Sequence, residues 1–235
     1  MQGTMKRLVL FDIDGTLLSA QGAPRRAFHR ALFDVYGTTG PIDGHTFDGK
    51  TDPQIARELL LLAGLTDAAV DDGLPRLWST YLRELARELT LPDQQTLVYD
   101  GVRELLAALE TQQEAVLLGL LTGNIERGAT LKLESAGLAN GFRVGAYGSD
   151  HERRDQLPAV AVERARALTG IHFREREVVI IGDTPSDVTC GRALGVRAIG
   201  VATGRHDEAT LAAAGADHVF ADLSDTDAVL RGILD

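Results

Sequence analysis

The sequence predicts an α/β protein: a Rossmann-like open parallel sheet core with a small helical domain inserted near its start. Three observations lead there. Short, unbroken apolar runs end in polar residues and glycine turns, stretches of helical period separate these runs, and one long interval, residues 19–91, carries helical patterns alone. Uninterrupted apolar runs fit strands buried on both faces, and strands alternating with helices imply right-handed crossovers over a parallel sheet.

The first run, Arg7-Leu-Val-Leu-Phe-Asp12, predicts the opening strand. The interval that follows is rich in Ala, Leu, Arg and Glu, and its pieces 24–36, 53–63, 67–72 and 74–89 place apolar residues at helical spacing. Leu91-Pro-Asp-Gln-Gln95 then reads as a return linker. Alternation resumes with a helix over 101–110 and a strand over Val116–Thr122. Helices over 125–136 and 157–169 precede a strand over Val178–Asp183 and a helix over 185–194. A strand over 198–202, a helix over 208–214, a weaker strand over 217–221 and a short closing helix complete the core. The domains are therefore expected at 1–18 with 92–235 for the core, and at 19–91 for the inserted helical domain.

Composition narrows the function. The 235 residues are 44% hydrophobic, enough for a sizeable core, and the net charge of −10 argues against nucleic-acid partners. No apolar stretch reaches the length of a membrane span, no signal-peptide pattern stands at the start, and the single cysteine, Cys190, excludes an internal disulfide. A cytoplasmic protein without membrane association is expected, as a monomer or homodimer.

Ligands of open parallel sheets bind beyond the carboxyl ends of the strands, so the polar residues ending these runs should converge. They are Asp12-Ile-Asp14-Gly-Thr16, Thr122-Gly-Asn124 and Gly182-Asp183-Thr-Pro-Ser-Asp187. Carboxylates gathered this closely repel one another unless a cation lies among them, and hard oxygen ligands select Mg²⁺.

These motifs carry a resemblance. Phe11-Asp-Ile-Asp-Gly-Thr-Leu-Leu18 resembles the DxDGT signature of the haloacid dehalogenase-like hydrolase superfamily; Leu121-Thr-Gly-Asn124 resembles its second motif and Gly182–Asp187 its fourth, in the same order. With the insert resembling the superfamily's mobile cap, the likeness spans residues 6–222. Within the superfamily the chain is most similar to the phosphoglycolate phosphatase and β-phosphoglucomutase branch. The resemblance implies a Mg²⁺-dependent phosphatase acting on a small phosphorylated metabolite. Asp12 would be the nucleophile and Asp14 the general acid and base. Thr122, with Gly123 and Asn124 at a helix start, would bind phosphoryl oxygens. Asp183 and Asp187, with Asp12 and the carbonyl of Asp14, would hold the metal. Two cations compete for the place of the third motif: Lys132, whose long stem leans back toward the start of its helix, and Arg154. Reach favours Lys132, whose alternative is an exposed helix lysine. Phe47-Asp-Gly-Lys-Thr-Asp52 resembles the cap's specificity loop, where Lys50 would meet a substrate anion and Asp52 could cap a helix. The same residues fit a phosphomutase with equal ease. A non-catalytic phosphate-binding module has no use for the pair Asp12 and Asp14, and a dehalogenase or phosphonatase has none for Asp14.

Overall fold

Strand β1 (Arg7–Phe11) lies at the centre of the sheet and is buried along almost its whole length. The computed structural model describes residues 7–235; residues 1–6, which the sequence reading assigns to the core, lie outside the described residues. After β1 come the two-residue strand β2 (Leu18–Ser19) and the insert, helices α1 (Ala23–Tyr36), α2 (Asp52–Leu62) and α3 (Asp67–Leu89). The chain returns through β3 (Leu97–Val98), which pairs antiparallel with β2. Both connections to the insert are thus tied together beside the end of β1.

The core continues through α4 (Val102–Glu110), β4 (Val116–Thr122), α5 (Glu126–Ala136), β5 (Val144–Tyr147), α6 (Leu157–Thr169) and β6 (Val178–Gly182). It closes with α7 (Pro185–Cys190), β7 (Arg197–Val201), α8 (Glu208–Ala213), β8 (His218–Phe220) and α9 (Thr226–Leu234). Six strands form one parallel sheet in the order β5-β4-β1-β6-β7-β8. Alternate strand residues feed opposite faces, as the period of two requires. Val9, Phe11, Leu118, Leu120, Val179 and Ile181 join one apolar cluster, while Leu8, Leu10, Leu117, Leu121, Val178 and Ile180 join the other.

The insert has its own apolar centre around Phe28, Leu32, Leu59, Leu77, Tyr81 and Leu85, with Ile125 of the core packed into it. Sequence reading divides 67–89 at Gly73, but α3 is one helix of 23 residues that passes through Gly73 and Pro75. Gly73 is there for contact, since a Cβ at that position would come within 2.5 Å of the Tyr36 ring. The helix expected over 185–194 ends at Cys190, and a 3₁₀ turn, Arg192–Leu194, finishes the segment. Strand β5 and the β2–β3 pair were not expected. β5 has four residues with a glycine inside, and β2 and β3 have two residues each, too few to express a period.

Candidate active site

The ends of β1, β4 and β6 bring Asp12, Thr122 and Asp183 to one side of the sheet, under the cap. Each is buried: Asp12 is 6% exposed, Thr122 0% and Asp183 4%. After β1 the chain must turn sharply, and Gly15 takes φ 89° with Asp183 so near that a Cβ would meet its carboxylate at 2.3 Å. Only glycine fits both demands. Thr16 then ties the turn to β6, its hydroxyl donating to Asp183 Oδ1 at 3.0 Å.

Asp12, Asp183 and Asp187 each offer a carboxylate oxygen within 4.8 Å of the others, and among the described residues this is the group that could hold a metal. Asp187 is aimed by the N-terminal cap of α7: it accepts from the amide of Thr184 at 3.0 Å and from its hydroxyl at 2.7 Å. Burial, opposed by Arg154 and reinforced by Asp187 and Asp14, raises the pKa of Asp12 to about 6. Burial with the neighbouring Asp187 and Asp12 pushes Asp183 to about 9. Three carboxylates gathered this closely, offering oxygen donors alone, fit a hard divalent cation.

The two candidate cations are both buried, Lys132 at 3% and Arg154 at 7% exposure, so neither is a surface residue. They serve different carboxylates. Arg154 Nη2 lies 3.1 Å from Asp12 Oδ1 and also pairs with Asp187. Lys132 Nζ donates to Asp14 Oδ2 at 2.6 Å and to Asn124 Oδ1 at 2.5 Å. Asn124 in turn donates from Nδ2 to Asp14 at 2.8 Å and to the Thr122 hydroxyl at 2.7 Å. The cation in contact with Asp12 is therefore Arg154, whereas reach along the helix had favoured Lys132. The Asp14 carboxylate stands in a separate half of the site, oriented by Lys132 and Asn124 and outside the trio of Asp12, Asp183 and Asp187.

The cap covers these groups. A cavity of about 250 Å³ is lined by the core residues Asp12, Asp14, Thr122 and Asp183 and by the cap residues Arg25, Phe47, Lys50 and Tyr81. Gly123 admits the cap loop, because a Cβ there would meet the Lys50 carbonyl oxygen at 2.0 Å. The Lys50 ammonium pairs with Glu58 at 2.5 Å and lies 3.3 Å from the His45 ring. Thr51, not Asp52, caps α2, accepting from the amide of Gln54 at 3.2 Å. Asp52 instead reaches across to the core, where its carboxylate accepts from the amide of Ile125 at 2.9 Å, while its own amide donates to the Gly123 carbonyl at 2.7 Å. Burial raises Asp52 to about 6, with Lys132 and the Ile125 amide acting against the shift. Sequence reading missed this role because partners 73 residues apart leave no local pattern. Arg25 was missed as well; it donates to the carbonyls of Ile42 at 2.5 Å and His45 at 2.8 Å, with its guanidinium 4.0 Å from the Phe47 ring centre.

Known proteins share this architecture. Phosphoglycolate phosphatase of Pseudomonas putida is 27% identical over 204 residues, covering 86% of this chain and 71% of that protein. Its counterpart from Chromobacterium violaceum is 29% identical over 209 residues, covering 88% and 90%. Among solved structures, a hydrolase from Pseudomonas syringae superposes with a TM-score of 0.71 at 22% identity, covering 98% of this chain and all of that one. A proposed β-phosphoglucomutase from Bacteroides vulgatus does so at 0.69 with 17% identity, covering 99% and 90%. The family model for haloacid dehalogenase-like hydrolases matches residues 9–201, a span that takes in Asp12, Asp14, Thr122, Arg154 and Asp183, and the chain belongs to that family of enzymes.

Proposed function

We propose that this enzyme is a Mg²⁺-dependent phosphatase that hydrolyses a small phosphate monoester through an aspartyl-phosphate at Asp12. One observation carries the reading: Asp12 sits in a carboxylate trio with Arg154 against it, and Asp14 stands apart on its own hydrogen bonds. The two carboxylates are thereby given different environments, which is how a site separates a nucleophile from an acid and base.

With a pKa near 6, Asp12 is largely ionised at neutral pH. Its oxygen attacks phosphorus, the bond to the ester oxygen breaks, and Asp14 gives its proton to the departing alkoxide. Asp14 then takes a proton from water, whose oxygen bonds to phosphorus as the bond to Asp12 breaks, and phosphate leaves. Arg154 counters charge gathering around Asp12, and the Thr122 hydroxyl offers a donor to the phosphoryl oxygens, the amides of Ile125 and Glu126 at the start of α5 being engaged by Asp52 and Ser149. Asp12, Asp183 and Asp187 would hold Mg²⁺, with the Asp14 carbonyl as a further ligand. When bound, the ion supplies positive charge to carboxylates and phosphate that would otherwise repel.

The relatives named phosphoglycolate phosphatase make phosphoglycolate the first ester to assay, in a cytoplasmic enzyme that is a monomer or homodimer. Lys50, at the wall of the cavity, is the candidate for the leaving group's anion. A panel of esters, phosphoglycolate and sugar phosphates included, assayed with Mg²⁺ and again after EDTA tests the proposal. Metal-dependent phosphate release is expected. Isomerised sugar phosphate without release would instead mark a phosphomutase, which uses the same residues and differs in keeping water out.

A further inference from the structure

We propose that Thr51 and Arg57 of the cap are positioning residues for Arg154, acting through Glu152; the proposal rests on the phosphatase reading of the site. Glu152 lies on the core loop that leads into Arg154, and the cap holds it twice. The Thr51 hydroxyl donates to its carbonyl oxygen at 2.5 Å, and Arg57 Nε lies 3.1 and 3.0 Å from its two carboxylate oxygens. Arg57 is itself fixed, since its other nitrogens donate to Asp67 at 2.8 Å and Asp71 at 2.6 Å on α3. These pairs tie Arg57 to α3, so the cap presents it to Glu152 as part of its own framework.

Between Glu152 and Arg154 stands one residue, Arg153, in extended backbone (φ −85°, ψ 121°), and Arg154 opens the short 3₁₀ turn Arg154–Gln156. Displacement of Glu152 therefore carries directly into the Arg154 backbone. The side chain has little means to correct it. Its contacts to Asp12, Asp187 and the Leu121 carbonyl all run through Nη2, and among the described residues its buried Nε has no hydrogen-bond partner. Arginine that is fixed by its own bonds normally uses both arms of its fork. Here one nitrogen is engaged, so the backbone decides where the charge sits beside Asp12.

Docking of the cap and seating of the cation are thus one event. A cap that swings away releases Glu152, loosens Arg154 and leaves Asp12 poorly neutralised, so full reactivity belongs to the closed form. Asp52 on Ile125 and the Lys50 carbonyl against Gly123 give the cap further holds on the core, so losing Arg57 does not by itself undock it. The effect is expected in turnover more than in binding.

The test compares Arg57→Gln, Glu152→Gln, Arg154→Ala and the double variant Arg57→Gln/Arg154→Ala, with Mg²⁺ and p-nitrophenyl phosphate as substrate. Arg57→Gln and Glu152→Gln should each lower kcat by about tenfold, as misplacement of a catalytic group does, with KM within about twofold of wild type. In the Arg154→Ala background Arg57→Gln should cost nothing further. Losses that multiply in the double variant, or that fall on KM alone, would overturn the proposal. Amide hydrogen exchange across residues 150–157 should quicken in both single variants while β1 and β6 stay protected; unchanged exchange there also overturns it. Wild-type protein that releases no phosphate from any ester defeats the phosphatase reading instead, and the exchange comparison then decides whether the cap holds this loop.

Discussion

Asp12 and Asp14 lie two residues apart, yet they end in different surroundings, one against Arg154, Asp183 and Asp187, the other against Lys132 and Asn124. Arg154→Ala should therefore lower kcat by about 10²-fold or more, comparable to deleting a donor that meets developing charge, while the substrate's KM changes far less. Steady-state kinetics with a good leaving group checks this, and a loss confined to KM would move Arg154 out of the chemistry. The carboxylate trio makes a second prediction. Asp183 has a folded pKa of about 9 against 3.8 for the free group, so the metal-free folded state binds more protons than the unfolded chain between these values. The contribution of Asp183 to stability accordingly falls as pH rises through that window. Asp183→Asn, which cannot ionise, should be more stable than metal-free wild type at pH 8, and the gap should close toward pH 4. Urea melts at several pH values measure it, and a wild type as stable as the variant at pH 8 would show that Asp183 is not strained by its neighbours. The convergence of Asp12, Asp14, Thr122 and Asp183 was legible because they end a strand run or stand in the turn that follows one, where topology brings them together. The division of labour between Lys132 and Arg154 was not, because it depends on side-chain reach across elements.

At the scale of elements, periodicity located the long buried strands and the helices but not their short companions. β4 has seven buried residues and announces itself, whereas β5 is a four-residue edge strand interrupted by Gly145. Glycine inside 67–89 read as a break, although in α3 it makes room for Tyr36, whose hydroxyl donates to the Val70 carbonyl at 2.7 Å. Helix propensity and packing conflict at this position, and packing wins. Gly73→Ala, favourable for an isolated helix by about 1 kcal/mol, should here destabilise the protein by roughly 1–3 kcal/mol through overpacking. Thermal unfolding decides between the two signs. A rise in Tm would mean that Tyr36 moves aside at little cost.

Across the whole molecule, the parallel sheet supplies fixed carboxylates and the insert supplies the cover. The paired strands β2 and β3 bring both connections to one edge of the site, the geometry of a hinge. An insert was legible in the sequence where the alternation of strands and helices stops and resumes. How it docks, through Asp52, Lys50 and Arg57, could not be read, because each contact joins residues far apart in the chain. If closure serves selectivity, Lys50→Ala should reduce kcat/KM for the natural ester more than for p-nitrophenyl phosphate, which makes few cap contacts. Equal losses for both substrates would place selectivity elsewhere in the cap. Passage of phosphate through Asp12 is read directly by acid quenching during turnover with Mg²⁺, followed by mass spectrometry of the peptide containing residues 8–18. A phosphoryl group on Asp12 should appear with substrate, vanish when substrate is exhausted and be absent in Asp12→Asn, and turnover by that variant within about tenfold of wild type would rule out the aspartyl-phosphate.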